Sequence, residues 1–186
     1  MSECKYLLDI LDELRVNAKK INNEDLEKLV DQMLNSNRVF ISGAGRSGFV
    51  ARALSNRLMH LGMAVYFVGE PTTPSIKEGD LLLVCSGSGE TESLVVMAKK
   101  AISFNAKVAT ITIHPEASIG KMASTVIVIP GATPKSSLED TCLTVQPMGN
   151  AFEQMLWLVC DVLVVYLMNK TKKTEEEMFS RHANLE

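Results

Sequence analysis

The chain has 186 residues, 46% hydrophobic and 22% charged, with a formal net charge of −3, which fits one globular α/β domain with a buried core. Its charges are mixed and form no basic stripe, so the phosphate-neutralising surface of a nucleic-acid binder is missing. The opening MSECKYLLDILDELRVNAKK places apolar residues at helical spacing among charges, unlike a signal peptide, and the most apolar stretch, 155–168, is broken by Asp161 and shorter than the ~20 residues of a membrane span. A cytoplasmic protein that does not engage a membrane is expected.

In chain order, the patterning predicts helices over 2–20 and 23–36, a strand over 38–42, a helix over 47–61 and a strand over 64–68. A strand over 81–86, a helix over 91–104 and strands over 107–113 and 125–129 follow, then a long helix over 148–169 and a short charged one over 174–181. The Pro and Gly clusters GEPTTPSIKEGD and IPGATPKSS mark loops. Several strands are continuously apolar, as parallel strands covered on both faces are. The expected fold is therefore α/β, a five-stranded parallel sheet flanked by helices in three layers, Rossmann- or flavodoxin-like. It forms one domain over 1–186, with N-terminal helices 1–36, a core 37–170 and a helical tail 171–186. Such a sheet binds its ligand outside the carboxyl ends of the strands, where strand order reverses.

Cys4, Cys85, Cys142 and Cys160 are far apart with no CxxC pair, two of them inside apolar runs, which reads as buried thiols in a reducing compartment. His60 closes an ordinary helix and His114 precedes Pro115 in a turn, so His and Cys are not clustered as a zinc site requires. No metal and no cofactor are expected.

After the first strand comes Gly43, Ala44, Gly45, Arg46, Ser47, Gly48, a match to G-x-G-x-x-G entering a helix. With Glu70 near the end of the second strand, a dinucleotide site is one reading. The third strand ends in a second loop of the same kind, Ser86, Gly87, Ser88, Gly89, Glu90, Thr91, which one dinucleotide fingerprint does not explain. Here three hydroxyls, a glycine-rich backbone and a helix start converge on a site for one phosphate. The competing reading is a tight turn with an N-cap. No Lys follows the glycines in Walker A spacing, so nucleotide hydrolysis is not expected.

A carboxylate whose pKa is lifted toward neutrality by an apolar setting is suited to take a proton from one carbon and return it to the next. Glu153, in QPMGNAFEQMLWLVC at the start of the most hydrophobic helix, is the candidate; a solvated glutamate favoured by the helix dipole is the alternative. Asp161, two turns on, is read as a polar core or subunit contact. The tail FSRHANLE brings His182, whose imidazole can both donate and accept. Arg46 opposes the dipole of its helix, which suggests an anionic partner, either the substrate or a carboxylate.

GAGRSG and SGSGET resemble the phosphosugar-binding signature of the SIS (sugar isomerase) family, and QPMGNAFEQ and HANLE resemble segments of the 6-phospho-3-hexuloisomerases within it. The resemblance runs over nearly the whole chain and is least clear over 131–144. It implies a SIS fold that converts D-arabino-hex-3-ulose 6-phosphate to D-fructose 6-phosphate through an enediol, in the ribulose monophosphate route of formaldehyde fixation. Glu153 would then be the catalytic base and His182 a catalytic assistant, acting in its own or a neighbouring subunit. Gly45, Arg46, Ser47, Ser86, Gly87, Ser88, Gly89, Glu90 and Thr91 would bind the phosphosugar, with the phosphate in the second loop. It further implies a homo-oligomer, commonly a tetramer, and a functional pairing with hexulose-phosphate synthase. A non-catalytic sugar-phosphate-sensing module and an aldose–ketose isomerase are the other readings of the same motifs.

Overall fold

The structure is a computed structural model that describes residues 3–131, 144 and 146–185. Cys142 and nearly all of the 131–144 segment lie outside the described residues.

Two helices lead in, α1 (Lys5–Ala18) and α2 (Asn23–Leu34), the second opened by Asn22, whose side chain accepts a hydrogen bond from the Glu24 N–H. The α/β core follows as β1 (Val39–Gly43), α3 (Gly45–His60), β2 (Val65–Phe67), β3 (Leu81–Cys85), α4 (Glu92–Ser103), β4 (Lys107–Thr112), α5 (Ser118–Met122) and β5 (Thr125–Val128). The long α6 (Asn150–Thr171) and the short α7 (Glu175–Phe179) close the chain.

The five strands pair in the order β2-β1-β3-β4-β5, all parallel. Strand order reverses between β1 and β3, and Gly43 pairs with Cys85 so that the two strands end level. The switch point therefore lies between the two glycine-bearing loops.

Side-chain alternation along each strand feeds two cores. Val39, Ile41, Leu81, Leu83, Ala109, Ile111 and Ile127 pack under α2, α3 and α6. Phe40, Leu82, Val84 and Val108 pack on the opposite face under α4 and α5. The three-layer fold read from the sequence is the one observed.

Three details differ from the sequence reading. The helix α5 was not foreseen, because five residues are too few to display a helical period. Met148 and Gly149 both hold positive φ, 61° and 86°, so α6 starts at Asn150 after a sharp backbone reversal instead of at 148. With 22 residues and a mean hydropathy of 1.7 over its best window, α6 is also long and apolar enough to cross a membrane. It spends that apolarity on the sheet, burying Phe152, Met155, Leu156, Val159, Cys160, Leu163 and Leu167.

Candidate active site

The loop after β1 is shaped by close approach. A Cβ on Gly48 would lie 2.7 Å from the Gly43 carbonyl oxygen, so glycine there lets α3 sit against the end of β1. Gly45, at φ 57°, turns the chain into the helix with open space around it. This leaves Ser47 half-buried, facing β3.

The loop after β3 is pinned from behind. Thr110 donates its hydroxyl to the Val84 carbonyl and Thr112 donates its own to the Gly87 carbonyl at 3.1 Å, which the Ile113 N–H also reaches. Gly89, at φ 63°, passes so close to α5 that a Cβ would come within 2.7 Å of the Ala117 Cβ. Its N–H donates to the Ser86 hydroxyl at 3.2 Å, and the Glu90 N–H donates to the Ser88 hydroxyl at 3.3 Å. Thr91 occupies the N-cap position of α4, yet its side chain makes no capping bond. The hydroxyl is thus not used in the way the competing turn-and-cap reading expects.

Between the loops opens a cleft of about 200 Å³ lined by Ala44, Ser47, Cys85, Ser86, Gly87, Ser88, Thr91, Leu94, Met148, Gly149, Phe152 and Glu153. Ser47, Ser86, Ser88, Thr91 and Glu153, taken from three stretches of sequence, meet here. No Lys or Arg among the described residues lines it, and hydroxyls, backbone N–H groups and the start of α4 are its described resources for an anion. Met148, Gly149 and Phe152 were not singled out in the sequence; the Met-Gly pair before an apolar helix was the available signal, and its strained Met148 backbone sits at the cleft wall.

Other candidate residues lie elsewhere. Glu90 turns away and accepts a hydrogen bond from the Ser118 N–H at 2.6 Å. That bond, with one from the Ser118 side chain, holds its carboxyl below the usual carboxylate range. Glu90 thereby ties the loop to α5. Arg46 donates from Nε to Oε2 of Glu153, forming an ion pair in the wall between this cleft and an apolar groove of about 530 Å³ bounded by α1, α3 and α6. The setting of Glu153 is therefore apolar along its helix but cationic at its carboxylate.

His182 stacks on His60 at 5.3 Å and on Phe179 at 5.9 Å. Arg181 ties the tail there, donating to the His60 carbonyl at 3.5 Å as well as to the Glu177 carbonyl within the tail at 2.7 Å. Burial, together with the nearby Arg57 and His182, pulls the His60 imidazole below its ordinary value. His60 ends α3 and Ser47 begins it, so at ~1.5 Å per residue His182 is roughly 20 Å along the helix from Ser47. Within one chain it does not join Glu153.

Two sequence alternatives are resolved by contacts. Glu70 pairs with Arg52 at 2.5 Å beside Phe67, on whose ring the guanidinium stacks, so it is already engaged. Cys85 and Cys160 are buried, and contact with Cys85 together with burial pushes the Cys160 thiol well up, which keeps it protonated. Cys4 is exposed.

The SIS domain family matches residues 32–155, a span that holds both loops and Glu153, and the chain belongs to that family. It is 46% identical to the 3-hexulose-6-phosphate isomerase of Bacillus subtilis over the full length of both chains. The enzyme of the same name from Mycobacterium gastri is 39% identical, over 95% of this chain and 88% of that one. A crystal structure from Methanococcus jannaschii, described as inferring a 3-hexulose-6-phosphate isomerase function, superposes with a TM-score of 0.84 at 33% identity, over 98% of this chain and all of that one. Within the SIS family the chain is a member of the 3-hexulose-6-phosphate isomerase group.

Proposed function

We propose that this chain interconverts D-arabino-hex-3-ulose 6-phosphate and D-fructose 6-phosphate by proton transfer between C2 and C3. The observation that carries the reading is that Glu153 and the Ser86–Thr91 loop, distant in sequence, line one cleft at the switch point of the sheet.

The phosphate docks on the hydroxyls of Ser86, Ser88 and Thr91 and at the start of α4, with Ser47 contacting the sugar. Hydrogen bonds to a charged group contribute about 1.5–3 kcal/mol each, so several of them hold a phosphate without Lys or metal. Glu153 takes the proton from C2 of the 3-ketose, leaving an enediolate; the hydroxyl proton passes from O2 to O3 through the enediol, and Glu153 returns its proton to C3, which moves the carbonyl to C2. The reaction needs no net acid, base or redox partner.

His182 would assist in the cleft of a neighbouring copy, since its own chain keeps it far from Glu153. Tyr6, Leu7 and Leu11 on α1 and Trp157, Leu158 and Val165 on α6 are exposed apolar residues suited to a homo-oligomer, for which we propose a tetramer. Mixing inactive Glu153→Gln and His182→Ala chains and letting them reassemble should restore part of the activity; no recovery would contradict a shared site. A cytoplasmic location and a functional pairing with hexulose-phosphate synthase, in the ribulose monophosphate route, belong to the same proposal.

The test is incubation with the 3-ketose phosphate, coupled to detection of fructose 6-phosphate, with and without chelator. Conversion that survives the chelator is expected. Binding without turnover would instead favour a sensing module.

A further inference from the structure

Arg46, the cation expected among the substrate contacts, is not among the described residues that line the cleft. Arg46 lines the adjoining apolar groove, and it is the one basic side chain among the described residues bordering either cavity. Its side chain is 63% exposed, whereas that of Glu153 is 16% exposed. The arginine thus meets the carboxylate from the groove and is not among the described residues that line the cleft with Ser86, Ser88 and Thr91.

The contact is one-sided. Arg46 donates through Nε to Oε2 alone, and Oε1 has no hydrogen-bond donor among the described residues. The pair bridges the first turn of α3 and the first turn of α6, 107 residues apart. A cation in the first turn of a helix opposes the macrodipole, and an exposed ion pair adds little stability. What Arg46 does contribute is geometry, because one fixed oxygen fixes the direction of the other.

Resting on the isomerase reading of the cleft, we propose that Arg46 is a positioning residue for the proton transfer: its Nε holds Oε2 of Glu153 so that Oε1 is left to the substrate, and it does not hold the phosphate. Misplacing a catalytic group by about 1 Å costs on the order of 100-fold in rate. Nothing in this role adds affinity for the ground state.

Arg46→Met should therefore fold normally in a thermal melt and lower kcat about 100-fold while KM stays within about 3-fold. In a Glu153→Asp background, where the shortened carboxylate has already left the arginine, the same substitution should lower kcat by less than about 5-fold. A KM that rises with kcat intact would overturn the proposal by making Arg46 a phosphate ligand. Equal losses in both backgrounds, or no loss in either, would overturn it as well. Failure of the isomerase reading itself shows separately, as phosphosugar binding without turnover in the native chain, and failure of the Glu153 assignment as full activity in Glu153→Gln.

Discussion

The two ends of the sheet treat polar groups in opposite ways. At the amino end, Arg38 donates to both carboxylate oxygens of Asp80, at 3.0 and 2.6 Å, and to the Ser75 carbonyl, while the Lys77 N–H also reaches Asp80. Asp80 is fully buried and its bonds are internal. At the carboxyl end, Ser47 and the Thr91 hydroxyl face open space, and Oε1 of Glu153 lacks a donor among the described residues. The first arrangement holds β1 and β3 together; the second keeps hydrogen-bonding capacity for a ligand. Mutual satisfaction marks structure and withheld satisfaction marks function.

The comparison breaks most visibly at Glu153. Glu153→Gln keeps shape and removes the base, so kcat should fall about 10²–10⁴-fold with the melting temperature almost unchanged. Steady-state kinetics beside a thermal melt checks both halves.

The next largest effect is the inverse. Asp80→Asn breaks a buried pair and should destabilise the fold by about 3 kcal/mol, the partial exposure of Arg38 placing it at the low end, while KM stays near the native value. Burial works to raise the Asp80 pKa, but the bonds from Arg38 and the Lys77 N–H outweigh it and hold the carboxyl below its ordinary value. A depressed carboxylate contributes stability that is present above its unfolded pKa and lost as pH falls through the folded one. Denaturant melts should show the native chain losing this contribution only on acidification below the ordinary aspartate range, and Asp80→Asn lacking that step.

A smaller change should follow Thr91→Val, which removes one hydroxyl and leaves the shape. One lost hydrogen bond to a charged group corresponds to about a 10- to 100-fold rise in KM for the phosphosugar, with stability unaffected because the hydroxyl caps nothing. Isothermal titration with the substrate phosphate, beside kinetics, separates this from a loss of rate.

The sheet and its switch point were legible because continuously apolar strands and loop glycines report burial and close approach directly. Ser47, Ser86, Ser88 and Thr91 were legible because strand ends in such a fold converge on one crevice, whereas Glu153, on α6, was pointed to by its apolar helix and by resemblance to the 6-phospho-3-hexuloisomerases. Side-chain direction was not. Glu90 sits in the middle of the second loop yet reaches back to Ser118, and for Arg46, where the sequence left substrate or carboxylate open, only the structure names Glu153, 107 residues away. The first loop also matched a dinucleotide fingerprint for a packing reason, since Gly48 is required by the approach of α3 to Gly43. The start of α6 escaped because a positive φ at a methionine leaves no mark in hydrophobic periodicity.

The central claim is a proton moved between C2 and C3 by Glu153. Its most direct test is to incubate the protein with fructose 6-phosphate in heavy water and follow the sugar by NMR. Appearance of the 3-ketose with deuterium at its C2, and of deuterium at C3 of the returned fructose 6-phosphate, is expected, both abolished in Glu153→Gln. Deuterium at C1, or turnover that persists in the variant, would contradict it.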